Sequence, residues 1–238
     1  MDLKVAVVLL TWQRIQMLNK TLDWLSKQTD KNFDVVISNG NRKANTVVNR
    51  YVKYYLNKGM SIFVRHDGNG LGSFRRMHVG RDLYEDGYDV ILFIDDDIVF
   101  GPKYIENAIS QYEPRSFKSA FAWRFLENGR DYYKLRLRVY DNTYRVHYCG
   151  TGVSMIDASF FSYKGIFECP YNGRHIEDLW MSYYVQDRLG WKLEYMDVGR
   201  IKIGGGDSVA LYRNVAKREY DKASFLRDLV KRGWDVSH

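Results

Sequence analysis

Apolar residues follow two rhythms over the first hundred positions. Residues 5–10, Val5-Ala6-Val7-Val8-Leu9-Leu10, form an unbroken apolar run, the pattern of a strand buried on both faces. Ile15, Leu18, Leu22 and Leu25 then recur at helical spacing, and that helix is expected to end near Gln28-Thr29-Asp30. Residues 33–38 repeat the strand pattern and close on Asn39-Gly40-Asn41. Val47, Val48, Tyr51, Tyr54 and Tyr55 mark a second helix, stopped by Gly59. A short strand at 61–65, the glycine-rich loop Asp67-Gly68-Asn69-Gly70-Leu71-Gly72 and a helix around 74–84 come next. A fourth strand, 90–94, runs straight into Asp95-Asp96-Asp97.

Strands alternating with helices in this way predict βαβ units and a mostly parallel sheet flanked by helices. Such sheets bind ligands outside the carboxyl ends of their strands. Thr11-Trp12-Gln13-Arg14, the segment 38–41 and the three aspartates all fall at such ends, so they are expected to converge on one crevice.

The second half is less regular. Residues 119–125, 134–139 and 144–148 read as strands of a meander, and Gly150-Thr151-Gly152 as a tight loop before a strand at 153–156. A helix over 177–189, a strand over 192–196, a flexible Gly204-Gly205-Gly206 and a last helix over 219–232 complete the chain. No repeat or linker divides it. A single domain, 1–238, is expected, with a change of substructure near residue 115 separating halves 1–115 and 116–238.

Composition narrows the classes. With 238 residues and 45% apolar content, one sizeable core is available. Only 3 prolines and no low-complexity tract exclude a linker-rich or disordered chain. The net charge of +7 suits anionic partners, from nucleotides to nucleic acid or a phosphorylated acceptor. No compact Lys/Arg run supports nucleic acid in particular. Lys134, Arg136 and Arg138 alternate with Leu135, Leu137 and Val139, which reads as a half-buried strand with one charged face. Two cysteines, Cys149 and Cys169, make no disulfide scaffold and point to a reducing compartment. No signal-like N-terminus and no apolar stretch of spanning length is present, so a cytoplasmic setting is expected.

Three adjacent carboxylates flanked by Ile94 and Ile98 repel one another unless something positive sits among them. A hard divalent cation with oxygen ligands is the natural partner. In an extended strand Asp95 and Asp97 share one side, able to hold one metal, and Asp96 opposes them, free for a ribose hydroxyl or backbone donor. A turn with acidic caps before Gly101-Pro102 is the plain alternative, and the apolar strand that precedes the acids favours the metal.

Taken in order, these segments resemble the GT-A glycosyltransferases, most nearly glycosyltransferase family 2 and its relatives. Thr11-Trp12-Gln13-Arg14 is similar to the strand end that opens their nucleotide site. Asn69-Gly70 with Arg75 or Arg76 is similar to the loop and arginine before the acidic motif. Asp95-Asp96-Asp97 resembles the D-x-D signature, Gly150-Thr151-Gly152-Val153-Ser154 the acceptor-side strand, and Ile176-Glu177-Asp178-Leu179-Trp180 the Glu-Asp pair whose aspartate is the general base. The resemblance runs from about residue 4 to 197. It implies a GT-A fold, with a smaller mixed sheet on the acceptor side, and Mn²⁺ or Mg²⁺ as cofactor. It also implies a nucleotide-sugar donor contacted by Thr11, Trp12, Arg14, Asn39, Arg75, Arg76, Asp95 and Asp96. The acceptor, a glycan, a lipid-linked sugar or nucleic acid (a modified DNA base included), would meet Gly150, Thr151, Gly152 and Trp180.

The pattern also departs from the family. Many relatives end strand two with an acid that reads the base, but Ser38-Asn39-Gly40-Asn41 has none, leaving Asn39 to offer a hydrogen bond. Many carry a metal-binding histidine late in the chain. Here only His238 follows Asp178, so Asp207 is the expected third ligand beside Asp97 and Asp95. Lys202 and Arg213 flank the glycine loop and could reach the diphosphate, or the loop is plain surface.

Asp178 at a helix start can draw the acceptor proton or simply complement the helix dipole, and both roles are compatible. Glu177 would then orient an acceptor hydroxyl. The resemblance implies inversion at the anomeric carbon. Trp123, Trp180 and Tyr183 are candidate sugar platforms, with Trp180 favoured. Cys149 has no base beside it and reads as a small buried residue. Two rivals remain: a sugar-nucleotide nucleotidyltransferase, weakened by the absence of a glycine-rich loop after the first strand, and a non-catalytic glycan- or nucleic-acid-binding module, weakened by the retained acids.

Overall fold

The computed structural model describes residues 3–68, 70–129, 131–170, 175–203 and 221–237. Seven strands form one sheet in the order β11-β6-β10-β4-β1-β2-β3. These are β1 (Val5–Thr11), β2 (Asp34–Asn39), β3 (Ile62–Arg65), β4 (Val90–Asp95), β6 (Ser116–Ser119), β10 (Val153–Asp157) and β11 (Lys192–Tyr195). All pairings are parallel except those of β10, which runs antiparallel to both β4 and β6. The sheet thus takes strands from both halves of the chain.

The unbroken apolar runs explain its position. In β1, Val5, Val7 and Leu9 enter one hydrophobic cluster while Ala6, Val8 and Leu10 enter another. In β4, Val90, Leu92 and Ile94 face the first cluster, and Ile91 and Phe93 the second. The two-residue period sends successive side chains to opposite faces, so only strands apolar at every position can lie between two helical layers. Helix α1 (Ile15–Ser26) buries Leu18, Thr21, Leu22 and Leu25, and α2 (Asn45–Leu56) buries Val48, Val52 and Tyr55. Tyr54 and Val47, counted in the apolar stripe from the sequence, are exposed. Helix α3 (Arg75–Glu85) carries two buried arginines in its first turn, where the helix dipole disfavours cations. Their partners must therefore come from outside the helix.

A three-stranded sheet, β8-β7-β9, lies beside the large one. It comprises β7 (Ala122–Phe125), β8 (Arg136–Val139) and β9 (Tyr148–Cys149), and it is antiparallel throughout rather than mixed. The strand expected over 119–125 is two strands. Ser119 ends in the large sheet and Ala122 begins in the small one, the change being fixed by Ala120 N–H donating to Val153 O at 3.0 Å and Gly150 N–H donating to Phe121 O at 2.9 Å. The strand expected over 144–148 is reduced to the two residues of β9. Three further elements lacked a clear periodic signal: β5 (Ile98–Phe100), the short α4 (Tyr104–Ile109), and β12 (Ile201–Ile203), which pairs antiparallel with β5. The helix over 177–189 is present as α5 (Glu177–Tyr183), continued by a π-helical turn at Tyr184–Arg188. The last helix is α6 (Lys222–Lys231). No helix among the described residues is long and apolar enough to cross a membrane.

Candidate active site

Strand register brings the site together. Leu10 pairs with Asp95, Thr11 with Asn39 and Ser38 with Arg65. The carboxyl ends of β1, β2, β3 and β4 therefore lie at one level. Chain order reverses at β1, between β2 and β4, and this switch point is where open α/β sheets bind ligands.

The aspartates do not alternate as an extended strand would place them. β4 stops at Asp95, and Asp96 and Asp97 form a turn before β5. Two arginines divide the acids. Arg14 reaches Asp96 at 2.8 Å and also pairs with Asp97. Arg76 joins Asp95 to Glu177, the latter at 2.8 Å. The Thr11 hydroxyl donates to Asp96 at 2.9 Å. Burial pushes Asp96 up to about 6 against the pull of Arg14 and Thr11. Burial and the Asp95 charge likewise raise Asp97. Burial works against the charge of Arg14, yet Asp96, Asp97 and Asp95 together hold it above its ordinary value.

These residues fit a divalent cation. Four carboxylates (Asp95, Asp96, Asp97 and Glu177) share two guanidiniums, leaving negative charge in excess, and 39% of the Asp95 side chain remains open to solvent. No three metal-ligating side chains converge among the described residues. A cation held by Asp95 and Asp97 would therefore complete its shell with other oxygens. Asp207, the expected third ligand, lies outside the described residues, as do Asn69, Arg213 and the glycines at 204–206.

Gly152 lines the same crevice. Its carbonyl accepts from Asp95 N–H at 2.8 Å, and a Cβ placed on it would sit 2.6 Å from Asp95 Oδ2. Only glycine lets the acceptor-side loop lie against that carboxylate. Gly150 and Thr151 are buried behind it, with the Thr151 hydroxyl 3.4 Å from Glu177.

Three residues expected to touch ligand are committed elsewhere. Arg75 is buried and donates to the carbonyls of Gly72, Ser38 and Thr11, tying the glycine loop to the ends of β1 and β2. Burial brings it down to about 10. Asn39 spends its side chain on the Asn41 backbone, Asn45 and His66, which fixes the turn after β2. Trp180 is in the core: its indole N–H donates to Ile166 O at 2.7 Å and its rings pack on Tyr183 and Tyr184. Buried to 6% exposure, it has no open ring face for a sugar. Trp12, by contrast, is exposed at the mouth.

Glu177 and Asp178 open α5, where the helix dipole favours negative charge. Their side chains diverge. Glu177 accepts from Arg76 and the Ser73 hydroxyl. Asp178 accepts from the Tyr148 hydroxyl, from Lys222 Nζ and from Leu179 N–H at 2.9 Å. Burial and the neighbouring Asp178 charge raise Glu177. Burial would raise Asp178 too, but Lys222 and Tyr148 outweigh it and hold that carboxyl below its ordinary range. Adjacent carboxyls pushed in opposite directions are a pattern that acid–base sites use. Sequence reasoning missed Lys222, Tyr148 and Ser73: Lys222 stands 44 residues from its partner, and no local pattern links them. It also missed Asp67, just past the end of β3, which accepts from the Ser38 hydroxyl at 2.6 Å. An acid thus does stand beside the end of β2, supplied by the neighbouring strand. Both thiols are free and buried, and burial raises them, so neither is a nucleophile.

This strand order, with its acids at the β1–β4 switch point and a facing Glu-Asp pair, is the GT-A glycosyltransferase fold. The sequence pattern of Glycosyl transferase family 2 matches residues 6–167, and the chain belongs to that family. Among solved structures it is similar to GalNAc-T7 with UDP, GalNAc and Mn²⁺ at 14% identity, with a TM-score of 0.68, covering 98% of this chain and 49% of that one. It is similar to the mannosyltransferase PcManGT from Pyrobaculum calidifontis in complex with GDP-Man and Mn²⁺, at 11% identity and TM-score 0.60, covering 97% and 69%. A putative glucose-1-phosphate thymidylyltransferase from Bacillus anthracis, in complex with a sucrose, shares the fold at 16% identity and TM-score 0.55, covering 92% and 98%. The chain spans about half the length of GalNAc-T7. No curated protein matches the sequence.

Proposed function

We propose that the chain transfers a sugar from a nucleoside-diphosphate donor to an acceptor hydroxyl, with inversion, and that Mn²⁺ or Mg²⁺ is its cofactor. The observation that carries this reading is the Arg76 bridge. One guanidinium links Asp95, on the donor side of the crevice, to Glu177, next to the expected base. Donor and acceptor functions are thereby set in one frame. Asp95 and Asp97 would hold the metal, which supplies charge neutralisation for the departing diphosphate. Arg14 lies on the acids and positions them, and Trp12 offers an apolar face at the mouth. Asp67 takes the base-reading place that the end of β2 leaves empty.

Asp178 is the base. It must be ionised to accept a proton, and Lys222 and Tyr148 keep it so. The acceptor hydroxyl replaces Lys222 Nζ at Oδ2, gives up its proton there, and attacks the anomeric carbon as the diphosphate leaves. Glu177, raised and pinned by Arg76, orients the acceptor. The halves 1–115 and 116–238 act as donor and acceptor sides of one domain. The acceptor classes in view are a glycan, a lipid-linked sugar and nucleic acid. Two free buried thiols fit a reducing, cytoplasmic setting.

Incubation with Mn²⁺ and a panel of nucleotide sugars tests the reading. Release of nucleoside diphosphate, reduced about 10²–10⁴-fold in Asp178→Asn, is expected. Pyrophosphate release instead would make the chain a nucleotidyltransferase, and glycan binding with no turnover of any donor would make it a binding module.

A further inference from the structure

The small sheet carries charges that the transfer scheme above leaves unused. Arg138 lies opposite Trp123, and Arg136 opposite Phe125, in the β7–β8 ladder. Directly paired residues project to the same face, so both arginines stand on the face that carries Trp123 and, through β9, Tyr148. The Arg136 guanidinium lies 4.2 Å from the centre of the Trp123 ring and 4.3 Å from that of Tyr132. The Arg138 guanidinium lies 4.7 Å from the Phe121 ring and donates to Ala120 O at 3.0 Å. Among the described residues neither has an ion-pair partner, and the buried Nε of Arg138 has no hydrogen-bond partner.

This stripe connects the two landmarks of the site. At one end, the Phe121 ring lies 3.6 Å from the point where a Gly152 Cβ would sit, the point that abuts Asp95. At the other, the Tyr132 hydroxyl donates to the Tyr148 hydroxyl at 3.2 Å, and Tyr148 donates to Asp178. Of the acids at these two landmarks, Asp178 is paired with Lys222, and Asp95 shares Arg76 with Glu177. The two guanidiniums are thus stacked on rings, partly desolvated and, among the described residues, without counter-charge. Stacking fixes the plane of a guanidinium while leaving the N–H edge of Arg136 for a ligand; Arg138, whose Nη2 donates to Ala120 O and whose Nε is buried, can add a single N–H contact. An edge held as in Arg136 suits bidentate capture of a planar or tetrahedral oxyanion.

We propose that Arg136 and Arg138 form an anion subsite for the acceptor, so that the molecule receiving the sugar bears a phosphate or carboxylate. This rests on the transferase reading above. The Trp123, Tyr132 and Phe121 rings each carry a guanidinium on one face, which leaves less open ring for a base or a sugar face. That argues against stacked single-stranded nucleic acid, which needs open rings. It also reassigns Trp123 from a sugar platform to the support of a charge.

The test titrates the whole protein, by calorimetry and Trp fluorescence, with glycerol 3-phosphate, glycerate and glycerol. Saturable binding of one or both anions and none of glycerol is expected, and the tighter anion identifies phosphate or carboxylate as the group recognised. Arg136→Gln and Arg138→Gln should each weaken anion binding roughly tenfold or more, the worth of one charged hydrogen bond, and Arg136→Lys should recover part of it. If a glutamine variant does not fold, salt decides: wild-type affinity should fall as NaCl rises from about 50 to about 500 mM. Equal binding of glycerol, glutamine variants that bind like wild type, or salt-independent binding would each overturn the proposal. So would displacement of the anion by a single-stranded oligonucleotide at lower concentration. UDP and GDP binding is measured on the same wild-type samples. Its absence alongside intact anion binding would count against the transferase reading and not against the subsite.

Discussion

Lys222 is the cation that neutralises Asp178, and replacing it with methionine keeps the apolar stem while removing the charge. The pair is buried: only 14% of the Lys222 side chain and 11% of the Asp178 side chain reach solvent. Breaking a buried pair costs ~3–5 kcal/mol, because one charge is stranded without compensation. Asp178 would retain Tyr148 and Leu179 N–H as donors, so about 3 kcal/mol is the expected loss for Lys222→Met at neutral pH. In a chain of this length that lowers the melting temperature by about 6–12 °C. Lys222 is also the first residue of α6, where the helix dipole disfavours a cation, so helix propensity cannot produce the loss.

The pH dependence has a definite sign. In the wild type the folded Asp178 carboxyl lies below its unfolded value. Its contribution is therefore complete above the unfolded value, about 3.9, and disappears as pH falls through the lower, folded one. In Lys222→Met, burial is opposed only by the Tyr148 hydroxyl and Leu179 N–H, and the folded value is expected to rise above the unfolded one. The folded state then takes up a proton first as pH falls, so the gap between variant and wild type should narrow from pH 7 towards about 4. Urea unfolding at several pH values measures it, and Asp178→Asn in the Lys222→Met background should restore most of the stability. A loss under about 1 kcal/mol at pH 7, well short of a broken buried pair, or a gap that widens in acid, would refute the reasoning.

Other substitutions test other contacts. Gly152→Ala puts a methyl 2.6 Å from Asp95 Oδ2, so Mn²⁺-dependent UDP binding, followed by calorimetry, should fall ~10–100-fold with the fold retained by circular dichroism. Arg14→Met strips the cation from Asp96 and Asp97, so the metal-free variant should melt lower than wild type and gain more on addition of Mn²⁺ in a thermal-shift assay. Arg75→Met removes the donor to three backbone carbonyls, and urea unfolding should show a loss of ~1–3 kcal/mol even though Arg75 need not touch donor.

The parallel half was legible because its strands carry unbroken apolar runs, longest in β1 and β4. That pattern placed β1, β2 and β4, and strand polarity then placed Thr11, Asn39 and Asp95 at one edge. The acids were found as a cluster, but their directions were not, because the turn after Asp95 breaks the alternation an extended strand would impose. Arg75 and Arg76 are neighbours of identical type, yet one latches carbonyls and the other bridges Asp95 to Glu177. Helix phase decides which, and a run of letters does not display it at a helix start. Trp180 was misplaced because an amphipathic aromatic reads alike in a core and at a mouth. The small sheet was blurred because Ala120-Phe121 passes between two sheets within one apolar segment. Lys222 and Asp178 meet only through tertiary folding.

The most direct measurement compares nucleoside-diphosphate binding with and without Mn²⁺ in the wild type and in an Asp95→Asn/Asp97→Asn double variant. If these aspartates hold a cation against the diphosphate, Mn²⁺ should tighten UDP or GDP binding by ~10-fold or more in the wild type and leave the variant nearly unchanged. Equal enhancement in both proteins, or tight wild-type binding that Mn²⁺ does not affect, would contradict the account.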